Sequence, residues 1–325
     1  MKRKRKGHSR KSRGYRAYFT NFGDDTISIV NTRTDQVTGT ISVRDQPDGI
    51  TTSPIKPTAY VSNTNDNSVS VLDLIRNTEI KTIPVGQGPV GIATLPSGKK
   101  IYVANFDDQT VSVIDALTYQ VNPVEVGMNP FDIAFSPDGK KAYVSVTVSN
   151  YIAVLNTLTD EIITTIPITN GRFPRDLAVT PNGKKLYVAN RTSVNDPSTA
   201  SVIDTTQNTV IGSINVGIRP NGVAVTPDGK KVFITNIGSN NVTVVNAHTD
   251  TIITTIDVGE GPTDVAVTPD GKKAYVTNYY SGNVSVILVA KNSVITAIPT
   301  GTQTSDGDIS TFPFHKRIKP KANRA

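Results

Sequence analysis

The stretch PNGVAVTPDGKKVFITNIGSNNVTVVNAHTDTIITTIDVG, residues 220–259, holds four short apolar segments separated by turn residues. Gly222-Val-Ala-Val-Thr226 passes through Pro227-Asp-Gly-Lys-Lys231 into Val232-Phe-Ile-Thr-Asn236. Asn241-Val-Thr-Val-Val245 and the segment from Thr251 to Val258 follow. Short branched or alternating runs with regular punctuation predict an all-β unit of four strands. Asp-Gly and Asn-Gly supply the positive φ that a tight reversal needs, so Pro-Asp-Gly or Pro-Asn-Gly at 137, 181, 227 and 269 reads as a hairpin turn between first and second strands.

Working outward, the aromatic-led second strand recurs seven times, at Tyr18, Tyr60, Tyr102, Tyr143, Tyr187, Phe233 and Tyr275, with spacings of 42, 42, 41, 44, 46 and 42. A period near 42 with four strands per unit fits a propeller blade, whereas solenoid repeats are shorter or helical. Third strands such as Val111-Ser-Val-Ile114, Ala200-Ser-Val-Ile203 and Val284-Ser-Val-Ile287 alternate branched residues with small ones, as sheets packed on both faces require. The first copy begins at a second strand, Ala17-Tyr-Phe-Thr-Asn21, and the chain ends with Gly307-Asp-Ile-Ser-Thr-Phe312, which matches the first strand Thr263-Asp-Val-Ala-Val267. The expected fold is therefore a seven-bladed β-propeller of four-stranded blades, with blade one closed by the C-terminal strand. Such closure removes exposed sheet edges. The propeller is expected over residues 15–312, flanked by basic tails at 1–14 and 313–325, the first of them expected to be disordered.

The segments Tyr102-Val-Ala-Asn105, Tyr187-Val-Ala-Asn190 and Tyr275-Val-Thr-Asn278, each preceded by a Gly-Lys-Lys turn, resemble the YVTN-type β-propeller repeats of microbial surface-layer and other cell-surface proteins. Val146 stands where the repeat has Asn, and Pro54-Ile-Lys-Pro57 replaces the Gly-Lys-Lys turn, so blades two and four are expected to differ in detail. The resemblance implies a surface or interaction role and names no ligand, because fold does not dictate function.

Cysteine and tryptophan are absent, and His8, His248 and His315 are the whole imidazole supply, which excludes disulfide frameworks, Cys/His zinc sites and haem ligation; no cofactor is expected. The net charge of +7 hides a partition. Residues 1–16 hold nine Lys/Arg and residues 316–325 hold five, with no acid in either, leaving the body 20 basic residues against 27 acidic ones. The N-terminal cluster is followed by Gly7-His8-Ser9-Arg10 rather than an apolar core, so no signal peptide is recognised, and no stretch reaches the roughly 18 apolar residues of a membrane span.

The topology predicts two unlike faces. The turn face carries Lys99, Lys100, Lys140, Lys141, Lys184, Lys185, Lys230, Lys231, Lys272 and Lys273, and both tails leave from it. Lys2, Arg3, Lys4, Arg5 and Lys6 form the strongest candidate for attracting a polyanion, whether cell-wall polymer, acidic lipid or nucleic acid. The loop face carries the segments that lead into each first strand, with Gly49, Gly91, Asp132, Asp176, Gly222, Asp264 and Asp308 as aligned positions. Asp132 and Asp176 come from adjacent blades; such carboxylates suit Ca²⁺, an acid/base pair with one raised pKa, or acceptance of backbone N–H groups. The signature asparagines are expected to cap loops.

Symmetry breaks around blade five. Arg172, Phe173 and Arg175 lie in one loop, Arg191 precedes the insertion Ser193–Ser198, and Arg219 enters the next blade. Guanidinium groups beside an aromatic suit a carboxylate, a phosphate or an acidic protein loop. The sequence therefore favours a non-catalytic binding propeller, surface- or assembly-associated, that takes a protein or anionic ligand through Arg172, Phe173, Arg175, Arg191, Arg219, Asp132 and Asp176. The alternatives are a lactonase-like hydrolase with a carboxylate and arginine site at the channel mouth, and a non-specific polyanion or nucleic-acid binder acting through its tails.

Overall fold

A computed structural model describes residues 14–191 and 198–310, so the proposed tail sites at Lys2, Arg3, Lys4, Arg5 and Lys6, and most of the Ser193–Ser198 insertion, lie outside the described residues. The chain forms seven antiparallel four-stranded sheets. Six blades follow chain order, and blade one places Thr304–Ser310 innermost, beside Arg16–Asn21, Thr26–Asn31 and Gln36–Ser42. The described chain thus starts and ends on the turn face of blade one. Blades two and four keep all four strands despite their altered signatures.

The closing strand corrects one expectation. Thr304 faces Asn21 and Asp308 faces Tyr18, whereas in blade seven Pro262 faces Asn278 and Ala266 faces Tyr275. Asp306, not Asp308, is the counterpart of Asp264. The sequence match was drawn two residues late because this strand carries Thr304 where the other six inner strands begin with proline.

Apolar clusters sit between successive sheets. Tyr18, Ile27, Ile29 and Ile41 of blade one pack with Ile50, Ala59, Val61 and Leu72 of blade two. Tyr275, Val284, Val286 and Ile298 of blade seven pack with Ala17, Phe19, Val30 and Ile309 of blade one, which seals the ring. Fully burying each large side chain contributes about 1.5–3 kcal/mol.

The signature asparagines tie strands rather than cap loops. Asn105 Nδ2 donates to Thr110 Oγ1 and Ser112 Oγ, both at 2.9 Å, and Asn21, Asn63, Asn190, Asn236 and Asn278 repeat the arrangement. In blade four Val146 cannot donate, and the Tyr151 hydroxyl donates to Val126 O at 2.7 Å.

On the turn face, the second lysine of each pair spans to the next blade. Lys185 Nζ donates to Asp250 at 2.7 Å and Lys273 Nζ to Asp35 at 2.6 Å, joined by the Tyr187 and Tyr275 hydroxyls on the same carboxylates. Lys100, Tyr102 and Asp160 form a third latch. In blade six both partners change together: Phe233 replaces the tyrosine and Lys231 Nζ donates to Asn292 at 2.7 Å. Lys141 donates to Thr205 O. The turn face is consequently less basic than its lysine count implies, since only Lys99, Lys140, Lys184, Lys230 and Lys272 extend outward, and three of these pair with Asp138, Asp228 and Asp270.

Candidate functional site at the loop-face mouth

The inner strand of every blade is a sheet edge, so half of its N–H groups face the channel without a ladder partner. Five aspartates meet that demand. Asp176 accepts from Leu177 N and, across to the next blade, from Val223 N, both at 2.5 Å. Asp306 accepts from Gly307 N at 2.6 Å and from Ile50 N of blade two at 2.8 Å. Asp132 takes the Ile133 and Leu177 N–H groups, and Asp264 those of Val265 and Gly307. Asp308, four residues further along its strand than the proline slot, accepts from Thr52 N at 2.6 Å and Thr52 Oγ1 at 2.8 Å.

Four of these carboxyls pair with one another, Asp132 with Asp176 and Asp264 with Asp306. Each pair requires one proton. Burial raises Asp132 to about 6 even though the hydrogen bond from Asp176 pulls it down. Burial, then the charge of Asp132, lifts Asp176 well above the ordinary carboxylate range; burial and Asp264 do the same for Asp306. Within each pair one carboxyl therefore carries the proton and the other accepts it. The remaining blades carry glycine here because their inner strands approach too closely for a side chain. A Cβ on Gly91 would stand 2.4 Å from Phe131 O and 2.7 Å from Asp132 Cα.

A cavity of about 680 Å³ runs along the channel past this ring, from inner-strand residues such as Val179, Val225 and Val267 to Asp48, Phe131, Arg191, Tyr279 and Tyr280 at the loop face. Of the arginines read from the sequence, Arg191 forms part of its wall. Arg175 lies on the wall residue Phe131, its guanidinium carbon 4.3 Å from the ring centroid and 5.8 Å from that of Phe106. Its Nε is buried and has no hydrogen-bond acceptor among the described residues. Desolvation lowers Arg175 to about 10, opposed by the Asp48 carboxylate and reinforced by Arg219. Arg219 is thus close enough to act on Arg175, while Arg172 and Phe173 are exposed and outside the cavity wall.

Phe173 and Arg219 occupy the residue before the inner strand, which is left-handed in all seven blades; their φ values are 55° each, against 59° at Gly88 and 56° at Asn129. A phenylalanine there costs about 1–2 kcal/mol relative to glycine, which marks the loop as departing from its structural optimum.

Sequence reasoning did not single out Asp48, which forms part of the cavity wall. The signal was available, since Asp48, Phe131 and Arg175 share one repeat position immediately after the proline. Among the described residues, no three acidic or imidazole groups are arranged to hold a metal ion, and no helix is long and apolar enough to cross a membrane.

Fold and mouth together define a seven-bladed β-propeller repeat protein with an arginine- and aromatic-lined opening on one face. Residues 51–187 match the YNCE-like beta-propeller family. No curated protein sequence matches the chain. Among solved structures, the Kuenenia stuttgartiensis hydrazine synthase shares 26% identity at a TM-score of 0.78, covering 84% of this chain and 92% of that one. A functionally unknown protein from Desulfotomaculum acetoxidans, at 13% identity and TM-score 0.77, covers 91% of this chain and 98% of its own. A Lactobacillus plantarum protein, at 17% identity and TM-score 0.78, covers 91% and 99%. The last two show the fold alone.

Proposed function

We propose that this chain is a ligand-binding propeller whose loop-face mouth receives an anionic group. One observation carries the reading: Arg175 is held against Phe131 and Phe106 with its Nε buried and unpaired among the described residues, at a cavity whose wall includes Arg191. A buried donor without an acceptor costs about 1–3 kcal/mol, which an incoming carboxylate or phosphate oxygen relieves. Stacking on the two rings fixes the guanidinium plane before the ligand arrives, so less entropy is lost on binding.

Binding is favoured over hydrolysis because the oxygens of Asp132 and Asp176 are committed to backbone N–H groups and to each other. A general base needs a lone pair free to face water. Attachment to a cell surface rests on the YVTN-type resemblance, and protease shaving of intact cells, followed by immunoblotting, tests it: loss of signal supports exposure and full retention opposes it.

The test of the mouth is calorimetric titration of acetate, hexanoate, benzoate and phosphate into native protein and the Arg175→Gln variant. The reading expects saturable binding of at least one of these anions, weakened about tenfold or more by the substitution, as the loss of one charge-assisted contact requires. Absence of binding by all four, or equal affinity in the variant, overturns it.

A further inference from the structure

The mouth is not uniformly positive. Asp48 occupies in blade two the repeat position that Arg175 occupies in blade five, and in a ring of seven those blades are nearly opposite. Arg175 and Asp48 feel one another's charge. They nevertheless form no ion pair within the 4.0 Å limit of one. Asp48 accepts from Ser305 Oγ through Oδ1, and its Oδ2 has no donor among the described residues. The opening therefore carries both signs of charge, with a guanidinium reaching in from blade five over Phe131 and Phe106 and a carboxylate from blade two.

Aromatic rings flank the space between. Phe22, Tyr279 and Tyr280 form one bank, with ring centroids 6.2 and 5.4 Å apart. Phe106 and Phe131 form the other, 6.2 Å apart. Opposite charges that form no ion pair, with aromatic rings beside them, suit a molecule that bears both complementary charges on an apolar body.

We infer that the mouth binds a small zwitterion, its carboxylate at Arg175 and Arg191, its ammonium at Asp48, and its apolar middle between the two aromatic banks. This rests on the anion-binding reading above and adds the second charge. The volume of about 680 Å³ admits chains longer than an α-amino acid, so affinity should depend on the separation of the two charges.

Calorimetry with β-alanine, 6-aminohexanoate and 8-aminooctanoate, beside hexanoate and hexylamine, tests the inference on the full chain. At least one ω-amino acid is expected to bind about tenfold or more tighter than both single-charge compounds, as a second charge-assisted contact implies. Asp48→Asn, which keeps an acceptor for Ser305, should abolish that advantage, while hexanoate binds no more weakly than to the native protein because a like charge is removed; a thermal melt confirms that the variant is folded. Hexanoate binding with no advantage for any ω-amino acid, or an advantage that persists in Asp48→Asn, overturns the zwitterion inference and leaves the anion site standing. Failure of every carboxylate to bind overturns both.

Discussion

Removing the carboxylate of Asp250 tests whether the turn-face latches hold blades together. Lys185 Nζ donates to Asp250 Oδ2 at 2.7 Å and to Ala247 O at 3.1 Å, while the Tyr187 hydroxyl reaches Asp250 Oδ1 at 2.5 Å. The lysine and aspartate side chains keep 23% and 29% of their exposure, so the pair lies between the solvent-exposed and buried limits. Exposed pairs contribute about 0–1 kcal/mol, and breaking a buried pair costs about 3–5 kcal/mol. We therefore expect Asp250→Gly to cost about 2 kcal/mol on this interpolation. Glycine is the right truncation because Asp250 has a φ of 58°, where alanine would add backbone strain. Asp250→Asn should cost less, about 1 kcal/mol, since Lys231 and Asn292 already form the neutral version one blade further on. Urea denaturation of native protein, Asp250→Gly, Lys185→Met and the double variant gives the coupling directly. A coupling below about 0.3 kcal/mol, within the additivity expected of independent sites, refutes the latch as a stabilising device.

The paired channel carboxyls should make the protein less stable as pH rises. Folded-state values raised above the unfolded value of about 3.9 contribute stability that is complete below that value, and it is lost as pH climbs through about 6 for Asp132 and through the likewise raised values of Asp176 and Asp306. Thermal melts from pH 5 to 8 should fall less steeply in Asp176→Asn/Asp306→Asn, which supplies a permanent donor to Asp132 and Asp264; parallel curves contradict this. Gly91→Ala should destabilise by roughly 3 kcal/mol or more, because its Cβ meets the Phe131 carbonyl and the Asp132 backbone of the next blade. A variant that melts with the native protein shows that these strands have room to part. Phe173→Asn should raise stability by about 1 kcal/mol through relief of the left-handed phenylalanine, read as a higher urea midpoint; an unchanged or lower midpoint means that the ring packs usefully.

Repeat count, blade composition and ring closure were legible in the sequence because each rests on local pattern: Pro-Asp-Gly turns, aromatic-led second strands and branched third strands. What crossed between blades was harder to read. Lys185 and Asp250 are 65 residues apart, and the position of Asp250 varies among Asp, Asn and Tyr from blade to blade, so no repeat pattern marks the pairing. The closing strand deceived the comparison because Gly307-Asp308-Ile309 imitates Thr263-Asp264-Val265 while hydrogen bonding selects Asp306. At the mouth, the arginines stood out as exceptions to the repeat. Their partners did not, since Arg175 turns back across blade four to lie on Phe131 and Phe106, a direction no spacing encodes.

The most direct measurement of the account is the side-chain Nε–H resonance of Arg175 in ¹⁵N-labelled protein, assigned by its loss in Arg175→Gln, followed while hexanoate is added. The ring faces of Phe131 and Phe106 should displace the free-state signal from those of exposed arginines. Saturating ligand should then shift it and slow its exchange with water, as an acceptor reaches the buried nitrogen. A signal indistinguishable from exposed arginines and unmoved by ligand would contradict the claim that this guanidinium is held ready for an anion.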